Sequence, residues 1–198
     1  MAGKAAVGER RIPKPQRIPT GGNTAGRMTA LTLFTPIRKR WAGVLRAGFT
    51  AVPHLPIRVH IIQFNFIKFV RWTIVEKLDG EKLNYPYLFF ESNFDGPWQH
   101  YIDAFAYVIP KDIRFVWGRG IDFPYPPPAE PLKAWIAANS MEGGTYYCAH
   151  GELSTREIQS AVAVRDGFEE LRRQAASLSP AQFQAAWNQF LTEHQEHL

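Results

Sequence analysis

Hydrophobic and polar positions change period sharply between Tyr87 and Phe105. Tyr87–Glu91 is nearly continuously apolar and reads as a buried strand. Asn93-Phe94-Asp95-Gly96 reads as a polar turn, with short side chains that bond their own backbone and a glycine free to take positive φ. Pro97 suits the first turn of a helix, and Trp98, Tyr101, Ile102, Phe105 and Ile109 then share one helical face.

The same reading extends in both directions. Thr29–Thr35 alternates as a first strand that Pro36 ends. Ile37, Trp41, Val44, Leu45, Phe49 and Val52 form a helical stripe, with Arg38, Lys39, Arg40 and Arg46 off it. Gly43 and Gly48 weaken that helix by up to about 1 kcal/mol each relative to alanine, so packing has to hold it. Pro53 and Pro56 break the chain, and Ile62–Val75 alternates as one bulged strand or two. Its even positions are apolar except for Lys68, which must snorkel, pair with an acid or enter a cavity. Ile113–Trp117 reads as a short strand. Gly118-Arg119-Gly120 opens a loop that continues into the Phe123–Pro128 stretch, which the prolines make an extended surface arm.

Pro131 begins a short helix with Leu132, Trp135 and Ile136 inward, and Thr145–Ala149 reads as a further strand. Two capping boxes follow. Ser154 with Glu157 starts a helix expected to bury Ile158, Ala161, Val162, Phe168 and Leu171. Ser179 with Gln182, and Pro180 at the first helical position, start another, whose stripe is Phe183, Ala186, Trp187, Phe190 and Leu191. That aromatic surface suits either wrapping the chain's own domain or an interface.

The resulting order, β-α-β-β-α-β, predicts an α+β fold of ferredoxin-like plan: an antiparallel sheet with helices on one face, an inserted Pro-rich arm and two extra C-terminal helices. The domain reading is a basic Pro/Gly-rich tail at 1–27, a ferredoxin-like domain at 28–176 and a C-terminal amphipathic helix at 177–198. The sheet's second face needs a cover, supplied either by a second copy, giving a dimeric α+β barrel, or by the C-terminal elements.

Charge sharpens the picture. The chain of 198 residues carries a net charge of +5. Residues 1–27 hold Lys4, Arg10, Arg11, Lys14, Arg17 and Arg27 against Glu9, leaving 17 of the 23 basic and 17 of the 18 acidic residues to a balanced remainder. A folded domain that grips nucleic acid would carry its own basic face, so no nucleic-acid partner is expected. The tail is either solvated or a tether that orders on an acidic partner. A protein partner or self-association is expected, through the tail, the arm and the last helix. Peripheral membrane contact through Ile37–Val52 is the competing use of that helix. The one cysteine, Cys148, allows neither an intramolecular disulfide nor a cysteine zinc site. No apolar run is long enough to cross a bilayer, and no apolar segment follows the N-terminal charges as a secretory signal requires. The expected location is cytoplasmic, at the periphery of a membrane or larger complex.

For chemistry, no phosphate-binding glycine loop, nucleophile elbow or paired-histidine metal motif occurs, and Gly118-Arg119-Gly120 is too short to count as one. No catalytic residue and no metal site is assigned. Lys68, Arg71, Tyr101 and Trp117 are candidates to line an apolar cavity beside the sheet, with Asn93 and Asp95 at its mouth. Each also has a plain structural explanation, Asn93 and Asp95 as shapers of the turn.

The elements Ile67-Lys68-Phe69-Val70-Arg71-Trp72, Leu88–Gly96, Tyr101-Ile102-Asp103-Ala104-Phe105, Trp117-Gly118 and Tyr146–Leu171, with Arg165-Asp166 inside the last, resemble a largely uncharacterised group of bacterial ferredoxin-like domains. The resemblance covers about residues 29–173. Members of that group stand alone or beside haem-peroxidase and catalase-like modules. It implies a dimeric α+β barrel and a redox setting, with haem as the one cofactor suggested and His100, Tyr147, Cys148 and His150 as its possible ligands. Where the group has histidine in a His-Phe-Ala-Arg-Trp element, this chain has Lys68, with Val70 in place of the alanine. The functional expectation is a small hydrophobic-molecule-binding protein, redox-associated. The alternative is a non-catalytic accessory subunit docked through its tail and C-terminal helix.

Overall fold

The computed structural model describes residues 23–51, 64–125, 128–141 and 145–197. The tail expected at 1–27 therefore lies outside it up to residue 22, as do Val52–Gln63 and the middle of the proline arm. Within these residues the chain is α+β, with four antiparallel strands and six α-helices. The strands are β1 (Thr24–Ala25), β2 (Met28–Pro36), β3 (Ile67–Leu78) and β4 (Glu81–Asp95), in the order β1-β2-β4-β3. The helices are α1 (Ala42–Ala51), α2 (Trp98–Val108), α3 (Pro110–Trp117), α4 (Ala129–Asn139), α5 (Thr155–Ala175) and α6 (Pro180–His194).

Register assigns each sheet face its residues. On the inner face Leu31, Ser92 and Val70 lie in one row, Leu33, Phe90 and Trp72 in the next, and Thr35, Leu88 and Ile74 in a third. The apolar sides of α1 to α4 cover that face. Tyr101, Ile102, Phe105, Ile113, Trp117, Leu132 and Ile136 are buried on it, and Phe49 of α1 stacks near Trp72. The remaining void among Leu33, Phe90, Tyr101, Trp117 and Trp135 measures about 10 Å³, room for no more than one water. The inner layer is closed.

Four expectations are corrected. Ile113–Trp117 is helical, not a strand: Pro110 stands at the first helical position, and Ile109, Ile113 and Trp117 recur every fourth residue on the buried side. Residues 145–148 form no strand, and Tyr147 is 83% exposed. The place beside β2 that a last strand would fill is taken by pieces. β1 pairs at one end, Met141 N–H donates to Thr32 O in the middle, and Ile121 N–H donates to Pro36 O at the other end.

The polar turn is the third correction. Asn93 and Asp95 belong to β4, which runs to Asp95 because β2 pairs with it as far as Met28. Only Gly96 turns, at φ +85°. The fourth concerns the C-terminal helices. Both capping boxes form as read, but Val162 and Phe168 of α5 stay 41% and 46% exposed, and of the expected stripe only Leu171 is buried. Helices α5 and α6 pack chiefly on each other, around Phe190, which meets Phe168, Trp187 and His194.

Candidate functional site on the open face of the sheet

On the second face of the sheet, the Met28–Asp95 end is covered, with Met28 fully buried and the start of α5 bonded to Asp95. Beyond it, with α5 and α6 folded on each other, no described helix packs over the face, which lies open. Its rows follow from the register: Ala30–Asn93–Phe69, then Thr32–Glu91–Arg71, then Phe34–Phe89–Thr73, then Pro36–Tyr87–Val75. Phe69, Arg71 and Thr73 on the outer strand are exposed, and Phe34, Tyr87 and Phe89 on the central strands are half-buried. Polar residues on β3 mark this face as solvent-facing, while its centre is aromatic.

Local packing orders that centre. Phe34 and Tyr87 stack at 4.6 Å with planes 15° apart, and Phe89 meets Phe34 edge-on at 6.4 Å. The rings stand side by side and present apolar surface outward. The Arg71 guanidinium lies over Phe89 at 5.3 Å and donates to Glu91 Oε2 at 2.9 Å. Stacking and pairing together hold it in place, with its remaining N–H groups open to solvent. The face is an aromatic floor with one cationic edge.

The six residues that the sequence brought forward do not share one cavity. Arg71 lies on the open part of the second face and Asn93 at the edge of its covered end. Asn93 Oδ1 is shut off from solvent without a partner among the described residues, and so is Asp95 Oδ1. Asp95 Oδ2 accepts the backbone N–H of Thr155 at 2.7 Å, which fastens α5 to the sheet. Lys68 is the extra residue of a β-bulge. Ile67 opposes Phe94 and Phe69 opposes Asn93, so Lys68 leaves the alternation that its position suggested. Its Nζ reaches 3.8 Å from Cys148 Sγ. Burial, with Cys148 beside it, pushes the nearby Tyr146 hydroxyl up to about 12.

Tyr101 and Trp117 lie on the other side of the sheet, in the closed layer. Tyr101 stacks on Phe94 at 3.9 Å and donates to Ser92 Oγ at 2.8 Å, and burial drives its hydroxyl pKa far upward. Trp117 meets Phe90 edge-on at 4.9 Å, its Nε1 unpartnered. His100, Tyr147 and His150, named as haem ligands, are exposed, and Cys148 is half-buried. Among the described residues no group of three His, Cys, Asp or Glu side chains is placed to hold a metal ion.

Sequence reasoning missed Phe34, Tyr87 and Phe89 as surface residues. A signal was present: Arg71 and Thr73 alternate with Val70, Trp72 and Ile74, so their cross-strand neighbours had to share the open face.

Elsewhere, a cleft of about 330 Å³ opens between the β1–β2 turn and the start of α2, lined by Thr29, Ala30, Leu31, Pro97 and Trp98 among others. No described helix is long and apolar enough to cross a membrane. Compared with known proteins, the chain finds no match: no family model, no curated protein and no solved structure.

Proposed function

We propose that the protein binds a small hydrophobic molecule on the open face of its sheet, with a second copy of the chain closing over it. The observation that carries this is the ordered aromatic group Phe34, Tyr87 and Phe89, left half-exposed beside Arg71. Such a floor offers apolar contact to a ring or acyl chain, and Arg71 offers a polar or acidic substituent its free N–H edge. A flat face leaves half of a ligand in water, whereas small-molecule sites bury most of it, so a cover is required. Two such faces meeting through a two-fold axis supply the cover and complete a ferredoxin-like α+β barrel. The resemblance to domains found beside haem-peroxidase and catalase-like modules supports a redox setting for the bound molecule.

Native mass spectrometry of the purified protein tests this. The expected result is a dimer carrying additional small-molecule mass that leaves on mild denaturation. A monomer without added mass, unchanged by apolar ligands, would count against it.

A second reading, an accessory subunit docked through its C-terminal helices, rests on the α5–α6 arm. Val162, Phe168, Phe183 and Leu191 stay between 37% and 46% exposed there, more apolar surface than a solvated hairpin needs. Deleting residues 177–198 separates the two readings. Loss of a partner with retained ligand mass favours the arm as a docking element, and loss of neither removes it.

A further inference from the structure

At the opposite end of β2 from the β1 pairing, three arginines converge on one pocket. It measures about 300 Å³ and is lined by Arg38, Arg114, Arg119 and Asp122, with Gly118, Gly120, Phe123 and Tyr125 completing the wall. Arg38 follows β2, Arg114 lies in the last turn of α3, and Arg119 stands in the loop after α3. The backbone holds these segments together: Arg38 N–H donates to Arg119 O at 3.3 Å, and Ile121 N–H donates to Pro36 O at 3.0 Å.

We propose that this pocket binds a dianionic phosphate ester of a small molecule. Two of its guanidinium groups are preset by stacking. Arg119 lies 3.9 Å over the Trp41 ring and Arg114 4.4 Å over the Tyr125 ring. Stacking fixes a guanidinium plane while leaving its N–H edge free, which suits the forked recognition of phosphate. Arg114 spends one donor on the Tyr125 hydroxyl at 2.9 Å. No carboxylate among the described residues lies within ion-pair distance of Arg38, Arg114 or Arg119.

Elsewhere in the molecule arginines do find acids, as Arg27, Arg46, Arg71, Arg165, Arg172 and Arg173 show. Three cations around one concavity with no carboxylate partner among the described residues repel one another and are held together by the fold, an arrangement that an anion relieves. Asp122 leaves the lining net positive by two charges, which matches a dianion. The carbonyl groups that close α3 do not oppose an anion strongly, because Gly118 N–H and Gly120 N–H occupy Arg114 O and Trp117 O. The volume exceeds that of an orthophosphate ion, and the Tyr125 side chain borders the remainder. The ester's organic part is therefore expected to be planar or cyclic and to lie against that ring. The three-residue Gly-Arg-Gly segment contributes through its arginine and its close packing, not as a phosphate-cradling loop. A Cβ on Gly120 would stand 2.9 Å from the Trp135 ring and 3.2 Å from Thr35 Cγ2.

The test is calorimetric titration of the full chain with inorganic phosphate, with phenyl phosphate, and with phosphatidylcholine vesicles containing phosphatidic acid. Phenyl phosphate is expected to bind more tightly than inorganic phosphate. Arg38→Gln, whose side chain has no hydrogen-bond or ion-pair partner among the described residues, and Arg119→Gln should each weaken binding about tenfold. Asp122→Asn should tighten it by removing a like charge. Asparagine tolerates the positive φ of 57° found at that position, so this variant keeps the loop. Vesicle binding with the same dependence on Arg38 and Arg119 supports the site with a lipid headgroup as the source of phosphate. No binding to any of the three, or binding indifferent to Arg38→Gln and Asp122→Asn, overturns the proposal.

Discussion

The carboxylate of Asp95, at the last position of β4, accepts the backbone N–H of Thr155 at 2.7 Å, 60 residues further along the chain. One strand end thereby caps the long helix α5. Ser154 Oγ accepts the Glu157 N–H of the same first turn at 3.1 Å, and Thr155 Oγ1 donates to Phe66 O at 3.4 Å. The C-terminal arm is fastened to the sheet through the Asp95 and Phe66 contacts, with the Arg27–Glu157 ion pair beside them. Asp95→Ala should therefore cost about 1 kcal/mol, the usual worth of a helix cap. Hydrogen exchange would report it as faster opening at Thr155–Ile158, with the amides of Phe90 and Leu33 unchanged. Equal acceleration in the strands would mean that the arm and the sheet open as one unit.

A second relay crosses the closed layer. Tyr101 donates to Ser92 Oγ at 2.8 Å, and Ser92 Oγ donates to Phe69 O at 3.0 Å. Tyr101→Phe removes one donor and leaves the serine still bonded, for a loss of about 0.5–1.5 kcal/mol. Ser92→Ala instead strands a buried phenol without a partner, at about 1–3 kcal/mol. Urea denaturation should rank Ser92→Ala as the less stable variant, and the reverse order would contradict the direction of the relay.

Acid should loosen the arm before the sheet. The Glu157 carboxyl is held below its ordinary 4.5, first by its hydrogen bond with the Ser154 side chain and also by Arg27. A carboxyl depressed in the folded state binds its proton more weakly there than in the unfolded chain. Its contribution is thus complete above the ordinary value and lost as pH falls through the folded one. Protection of the first turn of α5 should stay flat from neutral pH to about pH 5 and fall below that. Glu157→Gln should flatten the acid limb, and an unchanged limb would assign it to other carboxyls.

Much of this architecture is legible in the chain, for local reasons. The capping boxes at Ser154 and Ser179 and the helical face of Tyr101, Ile102 and Phe105 depend on neighbours within one or two turns. What escapes depends on distant partners. Ile113–Trp117 is rich in residues that favour strands, yet Pro110 at the first helical position and a fourfold spacing onto Phe90 and Leu132 make it a helix. Asn93 and Asp95 have turn composition but lie opposite Ala30 and Met28, so β2 draws them into the sheet. Lys68 breaks an apolar alternation on paper, and a bulge removes the conflict in space. The candidate site was half visible. Arg71 and Asn93 stand out in the sequence, whereas Tyr87 and Phe89 read as part of a buried strand because alternation does not say which face is covered.

Fluorescence titration with an apolar anilinonaphthalene probe tests most directly whether the open face binds an apolar molecule. Phe89→Thr and Tyr87→Thr keep strand-forming residues on β4 while removing the rings from its outer side. If the face is the binding site, the native protein binds the probe saturably, and each variant weakens binding about tenfold or more while melting cooperatively. Undiminished binding in both variants, with loss on substituting Trp98 in the cleft beside α2, would contradict the account and move the site to that cleft.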